Sequence, residues 1–410
     1  MPGQRRSALP AIIALSAVVH LSPAAEQAPA SGQPAVPPSL REVAQDVDSP
    51  DASVRRRALR VMREHGGPEP LALLGRLVND EEVGIREEAL EVVARLYVEP
   101  PARRRVGSVE DAFLIGPYYV TPWPAPPELA RALVTVLADE YPSVRRDAAY
   151  ALALVAPPPL SPRAAFELEA SLSDRDPDVR VAAARALGRL RVGAAGVPLV
   201  GRVNDEALDV RLAAMRALGD IREKGAVRAL TDQFEFYVRG VAGRSALDAL
   251  ARIADASSVP LFHAQTESHY PAHRQSAYEG LARTGTAKVT LDRIEAALAS
   301  ESDARVRLAM AFALGSTGRP IDPIVDAVLD ERVAAQALEY LAELRPERAA
   351  ELGKRLRDPD PVVRRYVAIA LGFIGGPDAA AALAAAQTET NPDVRNAIQV
   401  AQLRIRSARS

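Results

Sequence analysis

Few side chains in this sequence are suited to chemistry. The chain holds five histidines and no cysteine. Three of the histidines, His263, His269 and His273, lie close together, with Glu267 among them. His269 and His273 are four residues apart, a spacing at which one helix can offer two ligands to zinc. Pro271 stands between them and reads as a helix start, so the pair need not share a face. His273 also stands where comparable segments carry a buried valine. The trio is a minor metal candidate, and no cofactor is otherwise expected. No H-E-x-x-H, no G-x-S-x-G and no phosphate-cradling glycine loop occurs. Carboxylates are spread too evenly for an acid/base pair to stand out.

A second group could do recognition chemistry. Aromatics make up 4% of the chain, yet Phe113, Tyr118, Tyr119 and Trp123 fall within one short stretch, FLIGPYYVTPWPAPP. Trp123 is the only tryptophan, and prolines stiffen the segment around it. Two readings compete for this stretch. Phe113, Leu114 and Ile115 could plug a gap in the fold, with the tyrosines lying along a rim. Alternatively, Tyr118, Tyr119 and Trp123 form a rigid anchor for a partner, using residue types favoured at binding hot spots. A further apolar patch, Phe236 and Tyr237, replaces what is elsewhere a polar turn. Such a patch is either tucked onto the next element or left as a contact surface.

The elements that must position these residues follow from a repeat. Asp176-Pro177-Asp178-Val179-Arg180 opens the segment VAAARALGRL, and Asp360-Pro361-Val362-Val363-Arg364 opens RYVAIALGFIG. The arginine recurs at Arg55, Arg86, Arg145, Arg180, Arg211, Arg274, Arg307, Arg364 and Arg395, with Gly243 and Ala334 at two further positions. Spacings run from 27 to 35 residues, except for one of 59 between Arg86 and Arg145. A fixed period of this size marks stacked units, each with an apolar face that only its neighbours can cover. Within a unit, the apolar spacing of Val210, Ala214 and Leu218 predicts a helix, and a shorter helix precedes it. The expectation is an all-α solenoid of about eleven helix pairs. Because the arginine recurs in most copies, it reads as a packing element that meets turn aspartates or carbonyls, not as a ligand site.

The phrase D-x-x-V-R-x-x-A-x-x-A-L-G resembles that of the HEAT-repeat superfamily, in particular the short repeats of phycobilin lyases. The likeness spans residues 39–407. It implies a curved superhelix whose second helices line a concave face, usually a protein-binding scaffold. The long interval places an insertion at about 97–126, expected to be a loop on the rim opposite Phe236 and Tyr237. The named concave positions mix signs: Arg56, Arg60, Glu87, Glu91, Arg146, Tyr150, Arg185, Arg216, Asp248, Glu279 and Phe312. No basic stripe suited to nucleic acid appears among them.

Residues 1–24 read as a secretory leader, with Arg5 and Arg6 before a short apolar run. Residues 25–38 read as a Pro/Ala-rich tether, and Ser39 with Glu42 forms a capping box that opens the folded part. The apolar run is shorter than a membrane span requires. A periplasmic or secreted protein with no membrane insertion after cleavage is therefore expected, and an uncleaved anchor is the alternative. Formal net charge is −2, which gives no bulk attraction to nucleic acid or anionic lipid. The functional expectation is an exported, non-enzymatic scaffold for a protein or peptide partner. The alternatives are a lyase-type or nucleic-acid base-excision enzyme on the same fold, and a purely structural envelope spacer.

Overall fold

An aspartate or asparagine followed by proline starts one helix after another. Asp176 accepts a hydrogen bond from the amide of Asp178 at 2.8 Å, with Pro177 at the first helical position. Asp360 and Asn391 cap their helices in the same way. The cap satisfies an amide that the helix leaves free, and proline there loses no hydrogen bond. In the computed structural model, which describes residues 40–156 and 160–408, these starts punctuate a solenoid. The expected leader, the tether and the Ser39 cap lie outside the described residues.

Eleven helix pairs follow one another among the described residues. They run from Leu40–Asp46 with Ala52–His65 to Gly376–Ala385 with Pro392–Ser407. No strand is present among them, only an isolated bridge between Val98 and Val120. The protein is an all-α solenoid. Second helices carry the core: in Leu208–Ile221, Val210, Ala213, Ala214, Ala217 and Leu218 are buried. Glycine of the A-L-G phrase sits where consecutive second helices touch. A Cβ on Gly188 would lie 2.8 Å from the Cα of Ala217, and one on Gly372 would lie 2.8 Å from that of Ala401. Only glycine permits so close an approach, and packing density then does the rest.

The repeated arginine locks one unit to the next. Arg180 donates through Nη1 to the carbonyls of Asp174 and Arg175 in its own turn. Its other edge forks onto Asp205 of the following turn, at 3.1 and 2.8 Å. Arg55 makes the same fork to Asp80, Arg145 to Asp174, Arg274 to Glu301 and Arg364 to Glu389. Arg86 reaches Asp139 at 2.8 Å across the whole insertion. Burial pushes the Asp205 carboxyl up, but hydrogen bonds from Arg180 and the Ala207 amide outweigh this and leave it below the usual range. A carboxyl depressed in the folded state contributes stability above its unfolded pKa and loses it as pH falls through the folded value. The ladder therefore weakens in acid and not in base.

Arg180 and Asp205 are both almost fully buried. Removing one partner of such a pair strands the other, so Arg180→Ala is expected to cost about 3–5 kcal/mol in urea unfolding. Arg180→Lys, which cannot fork, recovers only part of that loss. An unchanged midpoint in Arg180→Ala would remove the ladder from the account.

Candidate interaction site

The insertion does not lie on a rim, as the repeat register alone suggested. It leaves the helix Val83–Tyr97 through a narrow neck, where the Glu99 amide donates to the Tyr119 carbonyl at 2.9 Å. The Thr121 amide donates to the Tyr97 carbonyl at 2.8 Å. Ser108 accepts from the Asp111 amide and starts the short helix Val109–Leu114. That helix packs on the second helices Val83–Tyr97 and Pro142–Val155, which places it on the inner side of the solenoid. Glu110 there accepts from the Tyr150 hydroxyl at 3.2 Å and from Arg185 at 2.7 Å.

Each of the four aromatics in the insertion has a partner within the chain. Phe113 is buried against Tyr150, with ring centroids 4.9 Å apart, and the Arg189 guanidinium lies 3.8 Å over its ring. Arg189 also donates to the Phe113 carbonyl at 2.7 Å. Trp123 meets Tyr97 edge-on at 6.1 Å. The tyrosines cross to the far end of the chain instead of following the rim. Tyr118 packs edge-on to Phe373 at 4.8 Å, and Arg365 stands over the Tyr119 ring at 5.6 Å. Arg404 stacks on Phe373 and donates to the Val120 carbonyl at 2.8 Å. The segment is a strap that joins units two and three to units ten and eleven. Helical periodicity gives no direction to a proline-rich loop, and these arginine and aromatic contacts supply it. Leu114, part of a plug in one of the two readings, is 55% exposed.

Beside the strap, second helices that are far apart in sequence meet. Arg252, on Val241–Ile253, reaches Glu339, on Ala334–Ala342, at 2.6 Å. Arg283 pairs with Glu343 at 2.8 Å and with Glu279 at 3.0 Å. The Tyr340 hydroxyl donates to Glu279, and Tyr340 stacks on Phe312 with centroids 4.3 Å apart. Arg216 approaches Asp220, Asp248 and Glu339. Burial disfavours charge on Arg216, as does Arg252, yet the three acids outweigh both and raise its pKa. Half of the Arg216 side chain stays exposed, so water still enters this recess. Of the named concave positions, Tyr150, Arg185, Arg216, Asp248, Glu279 and Phe312 all join these inward contacts. Arg189, Asp220, Arg252 and Arg283 went unmarked in the sequence, although each stands four residues beyond one of these positions. That spacing puts both members of a pair on one helix face.

The structure does not bring the three histidines together at a metal site. His273 is buried against Phe234 and Tyr270, with ring centroids 5.4 and 5.1 Å away, and burial lowers its pKa. Among the described residues, no group of three potential ligands can hold a metal ion. Phe236 and Tyr237 stand on the rim, exposed, with their rings 4.6 Å apart. Also among the described residues, no helix is long and apolar enough to cross a membrane.

One group in the neck of the strap is poorly satisfied. Glu99 is 1% exposed, and neither carboxylate oxygen accepts a hydrogen bond. Burial pushes its pKa up, against the opposing charges of Arg365 and Arg404. A carboxyl raised in the folded state favours folding below its unfolded pKa and costs stability as pH rises through the folded value. Glu99→Gln is therefore expected to raise the melting temperature at neutral pH. The gain should shrink to nothing in acid below the ordinary carboxylate range. A destabilised variant at neutral pH would mean that the charge of Glu99 holds the two arginines in place.

Similarity to known proteins agrees with this architecture. The family model described as HEAT repeats matches residues 167–245, 237–315 and 321–402, more than half of the chain. No curated protein matches the sequence. Solved structures to which the chain is similar include an engineered protein, 20% identical over 90% of this chain and 98% of its own, at a TM-score of 0.40. The phycocyanin lyase complex of Nostoc sp. PCC7120 is 21% identical over 61% of this chain and 96% of the matched chain, also at 0.40. A designed armadillo repeat protein is 18% identical over 60% of this chain and 99% of its own, at 0.33. With its eleven stacked helix pairs and its recurring arginine turn, this chain belongs to the HEAT-repeat family.

Proposed function

We propose that the chain is an exported, non-enzymatic scaffold that holds a protein or peptide partner, with the contact on its rim at unit six. Export to the periplasm or beyond rests on the leader-like residues 1–24. The contact is placed on the rim because the strap and the ion pairs occupy much of the inner face. In this reading Phe113, Tyr118, Tyr119 and Trp123 hold the strap to the solenoid, and the last three keep only part of their surface for a partner.

The observation that carries the reading is the turn after the helix Val227–Phe236. Phe236 is 79% exposed, and Tyr237 and Val238 are 38% exposed each. Phe236 follows Arg211 by the same interval that separates Arg180 from Asp205 and Arg364 from Glu389. An apolar side chain thus stands where the ladder elsewhere has its acid. Arg211 keeps its bonds to the carbonyls of Asp205 and Glu206, but its Nε is buried without an acceptor. Arg239 and Arg244 lie exposed beside the patch and form no ion pair among the described residues. Aromatic surface flanked by unpaired cations suits an acidic, apolar peptide.

Phe236→Asp separates fold from function. It returns the missing acid to the ladder, so the melting temperature should hold or rise, while partner capture falls about tenfold or more, as loss of a hot spot does. Capture is read by in-cell crosslinking from a photoreactive side chain at position 237, followed by mass spectrometry. Unchanged crosslinking in Phe236→Asp, or no dominant crosslinked protein in the parent, would contradict the proposal.

A further inference from the structure

The stack loosens between units eight and nine. Elsewhere consecutive second helices run side by side over most of their length. The second helix of unit nine, Ala334–Ala342, is only 9 residues long, and its first helix, Asp322–Asp326, only 5. Unit nine is too short to cover the flank of the helix Ala304–Ser316. The inner edge of this junction is closed by the Phe312–Tyr340 stack. Its outer edge opens into a cavity of about 600 Å³, walled by Leu298, Leu308, Leu314, Pro323, Ala327 and Val333. That volume falls in the range of about 300–1,000 Å³ typical of small-molecule sites.

The ladder fails at the same junction. Arg307 lines the cavity and spends Nη1 on the carbonyls of Glu301 and Ser302, as Arg180 and Arg364 do on the carbonyls of their own turns. The acid that should meet its other edge is Asp330. That carboxylate is taken by Arg332 of its own turn, at 2.9 and 2.6 Å, although it still feels the charge of Arg307. The other acid in the lining, Glu295, is taken by Arg319 at 2.7 Å. Nε and Nη2 of Arg307 meet no acceptor among the described residues, and the side chain is exposed at the cavity mouth. One guanidinium fork is left over, at the edge of an apolar hole.

We infer that this junction is a binding site for a small aliphatic carboxylate. The chain of the ligand lies among Leu308, Leu314, Ala327 and Val333, and its carboxylate takes the fork of Arg307 that ladder acids occupy in other units. Charge complementarity selects an anion, since both acids in the lining are already paired. The volume, that of a small-molecule site although its mouth is open to solvent, favours a small ligand over a polypeptide. The inference is independent of the rim contact at unit six.

The test is calorimetric titration of the full chain with decanoate, and with decanol as the uncharged control. One saturable site for decanoate is expected. Binding should weaken about tenfold or more for decanol and for Arg307→Gln, the loss expected when a charged hydrogen-bonded pair is removed. Ala327→Leu, which narrows the cavity while keeping an apolar wall, should weaken binding without lowering the melting temperature. Equal affinity in Arg307→Gln and the parent overturns the inference, as does equal affinity for decanol. Binding of unchanged affinity in Ala327→Leu, or an absence of saturable binding in the parent, also overturns it. An acidic apolar peptide that binds here in place of decanoate overturns the choice of a small ligand.

Discussion

The whole architecture hangs on one arginine fork. In each intact unit, one edge of the guanidinium closes its own turn by bonding one or two carbonyls, and the other edge grips the acid of the next turn. The planar group bonds both ways only when the two turns stand at a fixed separation and angle. Repetition of that geometry sets the rise and rotation of the stack. Glycines such as Gly188 and Gly372 let the second helices close up to the distance the fork demands. A buried charge is tolerated because every edge of it is bonded, and it becomes costly where an edge is left over.

The curvature that results brings distant units face to face. Arg252 meets Glu339 three units further along, and the strap from the second and third units reaches Arg404 in the last helix. Ion pairs on the inner side carry more carboxylates than guanidinium groups. One of the surplus carboxylates, Glu279, takes a further hydrogen bond from the Tyr340 hydroxyl. A solenoid closed in this way offers partners less of its groove and more of its edges. The edges are informative where the ladder lapses. At unit six an apolar turn replaces the acid, and at the junction of units eight and nine the acid is drawn away by Arg332.

Much of this was legible in the sequence. The period, the D-P helix starts and the structural role of the arginine follow from the repeat, and the inward positions from Tyr150 to Phe312 follow from the resemblance to the HEAT superfamily, whose second helices line the concave face. The inner ion pairs were half legible: Arg216, Asp248 and Glu279 stood out, while their neighbours four residues on completed the pattern unnoticed. The course of the strap was not legible. Its proline-rich sequence has no period, and its partners Phe373, Arg365 and Arg404 lie hundreds of residues away, among ordinary repeat positions. His273 was legible as a core residue from its place at the buried-valine position, and it packs on Phe234 and Tyr270.

The central claim is that the strap ties the two ends of the solenoid together. Hydrogen exchange at the strap amides, compared between the parent chain and Arg404→Ala, tests it most directly. Arg404 holds the Pro117 and Val120 carbonyls from the last helix, and burial lowers its pKa only to about 10, so it stays charged at neutral pH. Exchange at the Glu99 and Thr121 amides should accelerate by about tenfold or more in the variant, the loss expected for a charged hydrogen bond, while the amides of units five to seven keep their protection. Unchanged protection of those two amides in Arg404→Ala would contradict the closure of the solenoid by its own insertion.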